Sequence, residues 1–170
     1  MTGIVPAALH VRPAAAADQA FLADLYRSTR DDLLAMVADP RQIEALVAMQ
    51  QQMQAAGYRA SYPEASYQVL ELDGVAVGRL VTAVADGAMR VVDIAVLPHA
   101  RGRGVAGEAL RRLHERAASE GRDLTLAVRK DNAAARRLYA ALGFVPEGED
   151  ALSLRLRWRA QSGSGTGSTV

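Results

Sequence analysis

The 170-residue chain has no cysteine, a single lysine, a single tryptophan and only 5% aromatic residues. Without cysteine there is no disulfide scaffold, no thiol nucleophile and no thiolate metal site. His10, His99 and His114 are too far apart in sequence for the short His spacings of zinc sites, so no metal is expected. Charge of one sign is also lacking. The 20 basic and 19 acidic side chains leave a formal +1, and no general field draws the molecule to nucleic acid or an anionic membrane. No apolar run approaches about 18 residues, and Met1–Leu9 has no positively charged start ahead of an apolar stretch. Neither membrane spanning nor export is indicated, and a cytoplasmic location is the expectation.

Half of the residues are hydrophobic and 23% are charged, which is enough apolar material for the core of one domain and too much for wholesale disorder. That domain is read as residues 1–159. Residues 160–170 are almost all Gly, Ser and Thr, which cannot offset their ordering entropy by burial, and are read as a flexible tail.

Periodicity sets the order of elements. A short strand at Leu9–Arg12 ends at Pro13, and Phe21, Leu22, Leu25 and Tyr26 recur at helical spacing within Ala14–Arg30. An acidic connection, Asp31–Pro40, leads to a second helix over Arg41–Ala56, with Gly57 as its stop. Tyr58–Ser66 reads as a polar, aromatic loop. Tyr67–Glu71 and Val75–Val84 form a hairpin on Asp73-Gly74, and a further turn at Asp86-Gly87 opens the strand Met89–Leu97, which Pro98 ends. Gly104–Glu120 carries Val105, Ala109, Leu110, Leu113 and Ala117 on one helical face. A strand (Leu124–Arg129), a short helix (Ala133–Leu142) and a final alternating strand (Ala151–Trp158) complete a β-α-α-β-β-β-α-β-α-β order. That order implies a mixed sheet with helices on both faces.

Chemistry concentrates in His99–Gly107, where three glycines and two arginines join a strand to a helix. Gly102 and Gly104 let the backbone fold against an anion, the unpaired N–H groups of the helix start point at it, and Arg101 and Arg103 add full charge. A tight turn with solvated arginines is the bland alternative. Gly102-x-Gly104-x-x-Gly107 also matches the dinucleotide fingerprint. Four residues, Pro98 to Arg101, separate strand from first glycine, however, and Arg129 and Lys130 stand where an acid should end the next strand. A Walker loop is excluded because no Gly-Lys-Ser/Thr occurs.

Taken together, Ile94–Pro98 (IAVLP), Arg101–Ala106 (RGRGVA) and Val128–Phe144 (VRKDNAAARRLYAALGF) resemble, in order and spacing, the two signature motifs of the GNAT superfamily of N-acetyltransferases. The resemblance runs from about Leu9 to Trp158, with its specificity in Asp93–Phe144. It implies an α/β fold whose mixed, mostly antiparallel central sheet is splayed between strands four and five. It implies acetyl-CoA as donor, its pantetheine arm beside Ile94, Ala95 and Val96 and its diphosphate on Gly102, Arg103, Gly104, Val105 and Ala106 beside Arg101. Asn132 is then a CoA contact and Tyr139 the general acid for the departing thiolate. By spacing alone the two lie close to two helical turns apart and project toward one edge. A helix cap and a core aromatic are their ordinary alternatives. The acceptor implied is an amine-bearing small molecule or peptide, and a homodimer is compatible with the family.

The pattern departs from parts of the family. Some GNAT branches carry a glutamate base on the fourth strand, where Arg90 and Val92 stand here. Asp93 is the acid nearby, and whether it faces the cleft depends on a bulge in that strand. The branch that acetylates ribosomal protein N-termini has a glutamate where Ala127 aligns. Asp31, Asp32, Tyr58, Tyr62 and Glu64 are candidates to orient a cationic acceptor, with a solvated surface as the alternative. The missing obvious base leaves a second class open, a CoA- or nucleotide-binding module without turnover.

Overall fold

Apolar alternation and two Asp-Gly turns lay down the middle of the sheet in the computed structural model, which describes residues 8–161. β1 (Leu9–Pro13) leads through a single 3-10 turn to α1 (Gln19–Ser28), a short α2 (Asp31–Leu34) and a long α3 (Pro40–Ser61). There follow β2 (Ser66–Leu72), β3 (Val75–Ala85), β4 (Ala88–Val96), α4 (Val105–Ser119), β5 (Leu124–Arg129), α5 (Ala133–Ala141), β6 (Val145–Glu149) and β7 (Ser153–Trp158). Asp73, Gly74, Asp86 and Gly87 have φ of 50, 80, 52 and 76°, the left-handed pair that a two-residue hairpin needs to match strand twist. The strands order β1-β2-β3-β4-β5-β7-β6, and β4 beside β5 is the parallel pair in an otherwise antiparallel sheet. This is the mixed, splayed α/β sheet expected above.

The gap between β4 and β5 follows from their register. They pair at Met89 with Leu124 and at Arg90 with Thr125 and then separate. Immediately beyond, Val81 of β3 stands opposite Asp93 and Thr82 opposite Val91, which leaves Val92 as an extra residue in β4. A bulge of this kind bends the strand and raises its twist, and β4 diverges from β5 from that point. Its far edge is left without a partner strand.

One face of the sheet carries the main core, in which Leu70, Leu80, Met89, Leu124 and Leu126 pack with Val105, Ala109, Leu110, Leu113 and Ala117 of α4. The apolar stripe read for that helix is therefore its buried face. Across the sheet, Tyr26, Leu33, Ile43 and Val47 form a separate cluster among α1, α2 and α3. Arg12 ties β1 to the start of α1 by a fork onto Asp18, with N–O distances of 2.8 and 2.7 Å. No helix among the described residues is long and apolar enough to cross a membrane.

Three elements differ from the sequence reading. Gly57 does not stop its helix. α3 runs through it to Ser61, a helix-interior glycine costing only about 0.5–1 kcal/mol. The break comes at Tyr62, before Pro63, where φ −137° and ψ 71° suit a residue preceding proline. The loop expected at Tyr58–Ser66 is thus half helix. The acidic connection contains α2, and Val145–Glu149 forms an edge strand between α5 and the last strand, where none was expected. Of the proposed tail, Ala160 donates its N–H to Asp123 at 2.9 Å, and residues 162–170 lie outside the described residues, as does the chain start through Ala7.

Candidate active site

The β4–α4 connection is held at its base by Ala100, fully buried in a 3-10 turn, and by Arg101, whose Nε donates to the Val96 carbonyl at 2.9 Å. Gly102 and Gly104 then take φ of 74 and 81°. A Cβ at either would meet nothing within 4 Å, so the glycines are required by backbone conformation and not by crowding. At Gly107 the helix passes Leu138 of α5 closely, and a Cβ there would lie 3.6 Å from its side chain. Among the described residues, no protein group accepts from the amides of Gly102 through Gly107. They surround the positive end of the α4 dipole, which is the arrangement that binds a phosphate.

Those amides open onto a groove of about 500 Å³ lined by Ile94, Val96, Arg101, Gly102, Gly104, Val105 and Ala106, with Asn132 and Tyr139 opposite. Arg111, one helical turn beyond Gly107, also lines it. Two residues named from the sequence do not line this groove. Arg103 lines an adjoining one, with Leu9, Leu72 and Arg112, that shares Gly104, Val105 and Arg111 with it. Ala95 is turned toward β3. The Leu97 N–H donates to Val77 of β3 at 2.8 Å, and alternate residues of a strand share a direction. The backbone groups of Ala95 therefore face β3, and those of Ile94 and Val96 face the gap.

A second recess, of about 200 Å³, lies between the diverging strands. Its wall is formed by Val91, Val92, Asp93 and Ile94 on one side and by Leu126, Ala127, Val128 and Arg129 on the other, with Asn132 and Tyr139 at the junction. The bulge at Val92 thus brings Asp93 to the cleft, which alternation alone left open. Asn132 caps α5, its Oδ1 accepting from the Ala135 N–H at 3.1 Å, which leaves its amide nitrogen for other partners. Tyr139 packs against Phe144 with ring centroids 5.8 Å apart. Burial first, and the Asp93 charge second, push its phenol up to about 12, so it stays protonated at neutral pH.

Sequence reasoning missed Arg79. It stands in β3 and donates to Asp93 from Nε at 3.0 Å, and its Nη2 reaches both Asp93 and Gln54 of α3. Its signal was a lone cation inside the apolar run Val75–Val84. Tyr58 of α3 is half-buried nearby, its hydroxyl raised to about 12 by burial and then by Asp93. Asp31, Asp32 and Glu64 are exposed. Asp32 is held well below the usual carboxylate range, to about 2, chiefly by the Arg30 fork.

The family model described as the acetyltransferase (GNAT) family matches residues 22–144. Among solved structures, a PaiA N-acetyltransferase from Thermoplasma acidophilum in complex with coenzyme A is similar at 13% identity and TM-score 0.68, over 89% of this chain and 99% of that one. The ribosomal-protein-S18-alanine N-acetyltransferase from Escherichia coli aligns at 18% identity and TM-score 0.64, over 93% and 98%. A putative acetyltransferase, YncA, from Salmonella typhimurium with acetyl-CoA aligns at 20% identity and TM-score 0.56, over 95% and 99%. At these identities the likeness is one of fold. No curated protein sequence matches the chain. The family match spans most of the chain, including the glycine turn and the Asn132–Phe144 segment, and the chain belongs to the acetyltransferase (GNAT) family of acyltransferases.

Proposed function

We propose that the protein transfers the acetyl group of acetyl-CoA to a primary amine of a small molecule or peptide by direct attack. The observation that carries this reading is that a groove floored by open amides and a smaller recess meet at Asn132 and Tyr139. The diphosphate lies on Gly102–Ala106 beside Arg101, and the pantetheine arm runs along Ile94 and Val96. The thioester then reaches the recess between Asp93 and Tyr139.

An alkyl ammonium with a reference pKa near 10.4 must first lose a proton, and Asp93, directly or through water, is the acceptor of that proton. The neutral nitrogen attacks the carbonyl carbon while the Ile94 or Val96 N–H steadies the developing oxyanion. The C–S bond breaks, sulfur takes the Tyr139 proton, and the phenol regains one from the nitrogen or from solvent. The products are an amide, free thiol and one proton. With no cysteine in the chain, a thiol-borne acyl intermediate has no place in the scheme.

Calorimetry with acetyl-CoA followed by thiol release across a panel of amines tests the proposal. Binding with amine-dependent thiol release is expected. Binding without turnover on any amine would instead establish a donor-binding module.

A further inference from the structure

Asp93 and Arg79 form the ion pair that lies against the recess, and their geometry is asymmetric. Both Arg79 donors, Nε and Nη2, converge on the single oxygen Oδ2. Among the described residues nothing donates to Oδ1. The guanidinium is tethered in turn to Gln54 Oε1 of α3 at 3.2 Å. Both side chains are largely withdrawn from water, Arg79 being 13% and Asp93 21% exposed.

Strand register sets a tyrosine in the same row as this carboxylate. Tyr67 pairs with Val81 and Val81 with Asp93, so the three form one row across β2, β3 and β4 on the face that α1 and α3 cover. Tyr58 stands one helical turn beyond Gln54 on α3 and is half-buried, and Tyr139 lines the recess together with Asp93. The Tyr67 hydroxyl is buried and has no partner among the described residues, an unusual state for a polar atom. A carboxylate with one oxygen unpartnered keeps the capacity to accept from a second cationic donor.

We infer that the Arg79–Asp93 pair, with Tyr139 across the recess, is the recognition site for the acceptor's alkyl ammonium group, with Arg79 as the positioning residue that leaves Oδ1 free for it. This rests on the acetyl-transfer reading for its biological use but not for its binding chemistry. Because both Arg79 donors meet one oxygen, a lysine can supply the same contact, unlike at a site where two oxygens are held in parallel.

The test is calorimetry of the CoA-loaded protein with n-butylamine, cationic at pH 7, against n-butanol, its neutral counterpart of equal length. The native protein is expected to prefer the ammonium at least tenfold. Asp93→Asn and Arg79→Met should abolish that preference while leaving CoA affinity within twofold, and Arg79→Lys should retain most of it. An absent preference in the native protein overturns the inference even if the variants do not fold, and so does a preference that survives Asp93→Asn or Arg79→Met. Ammonium selectivity without thiol release would sink the transfer reading and leave this one standing. Turnover on amines without ammonium selectivity would do the reverse.

Discussion

Among the described residues, α4 and α5 on one flank of the gap rest on a core of nineteen buried residues that joins them to the sheet, whereas on the other flank α1, α2 and α3 share a buried cluster of four. The first flank holds the open amides of the glycine turn, Asn132 and Tyr139, and the second supplies Gln54 and Tyr58 around the Arg79–Asp93 pair. On the proposed reading, a donor that never changes suits a rigid wall built by packing, and an acceptor side held by a few apolar contacts and by polar pairs can be remodelled by substitution without loss of the fold.

That contrast can be broken most directly in the cores. Leu110→Ala, at a fully buried position under α4, should cost about 3–4 kcal/mol in urea unfolding, whereas Leu33→Ala in the small cluster should cost about 2 kcal/mol or less. Equal losses would mean that the two flanks form one cooperative core. Tyr139→Phe should lower turnover at least tenfold, about 1.4 kcal/mol, with CoA affinity by calorimetry unchanged. An unaffected rate would remove its acid role. Gly104→Ala puts a side chain at φ 81°, costs about 1–2 kcal/mol and should weaken CoA binding severalfold. Gly57→Ala, in a helix interior with open space around it, should raise stability by about 0.5–1 kcal/mol with no effect on CoA. The two glycines separate a conformational requirement from a tolerated residue.

A smaller effect concerns pH. The Arg12 fork, followed by the Ala15 N–H, holds the Asp18 carboxyl below its ordinary 3.8, at about 2. A depressed folded pKa stabilises fully above the unfolded value and is lost as pH falls through the folded one. Asp18→Asn should therefore lower the melting temperature at pH 7, and the difference from the native protein should fade between about pH 4 and about pH 2. A difference that persisted at pH 2 would point to the hydrogen bonds and not the charge.

The parts legible in the sequence were those set by local chemistry. Asp73-Gly74, Asp86-Gly87, Gly102 and Gly104 all take the positive φ that their residue types favour, and α4 buries the stripe its spacing marked. What could not be read depended on partners far along the chain. Arg79 meets Asp93 through the register of β3 on β4, which carries a bulge, and Arg103 lines the groove that adjoins the donor groove. Gly57 misled for a different reason. A glycine inside a helix is only a weak stop, and the helix instead ends just before Pro63.

The bulge at Val92 also bears on how the two halves of the sheet communicate. β5, β7 and β6 are joined to the rest of the sheet through Met89–Leu124 and Arg90–Thr125, with the Ile94 and Val96 amides facing open space beyond. An extended molecule carrying its own amides can lie there as an eighth strand and restore the ladder that the bulge interrupts. Acetyl-CoA would then act as a structural stitch as well as a reagent. Hydrogen exchange at Ile94 and Val96 should slow when it is bound, and a hundredfold excess over its Kd should raise unfolding stability by about 2.7 kcal/mol.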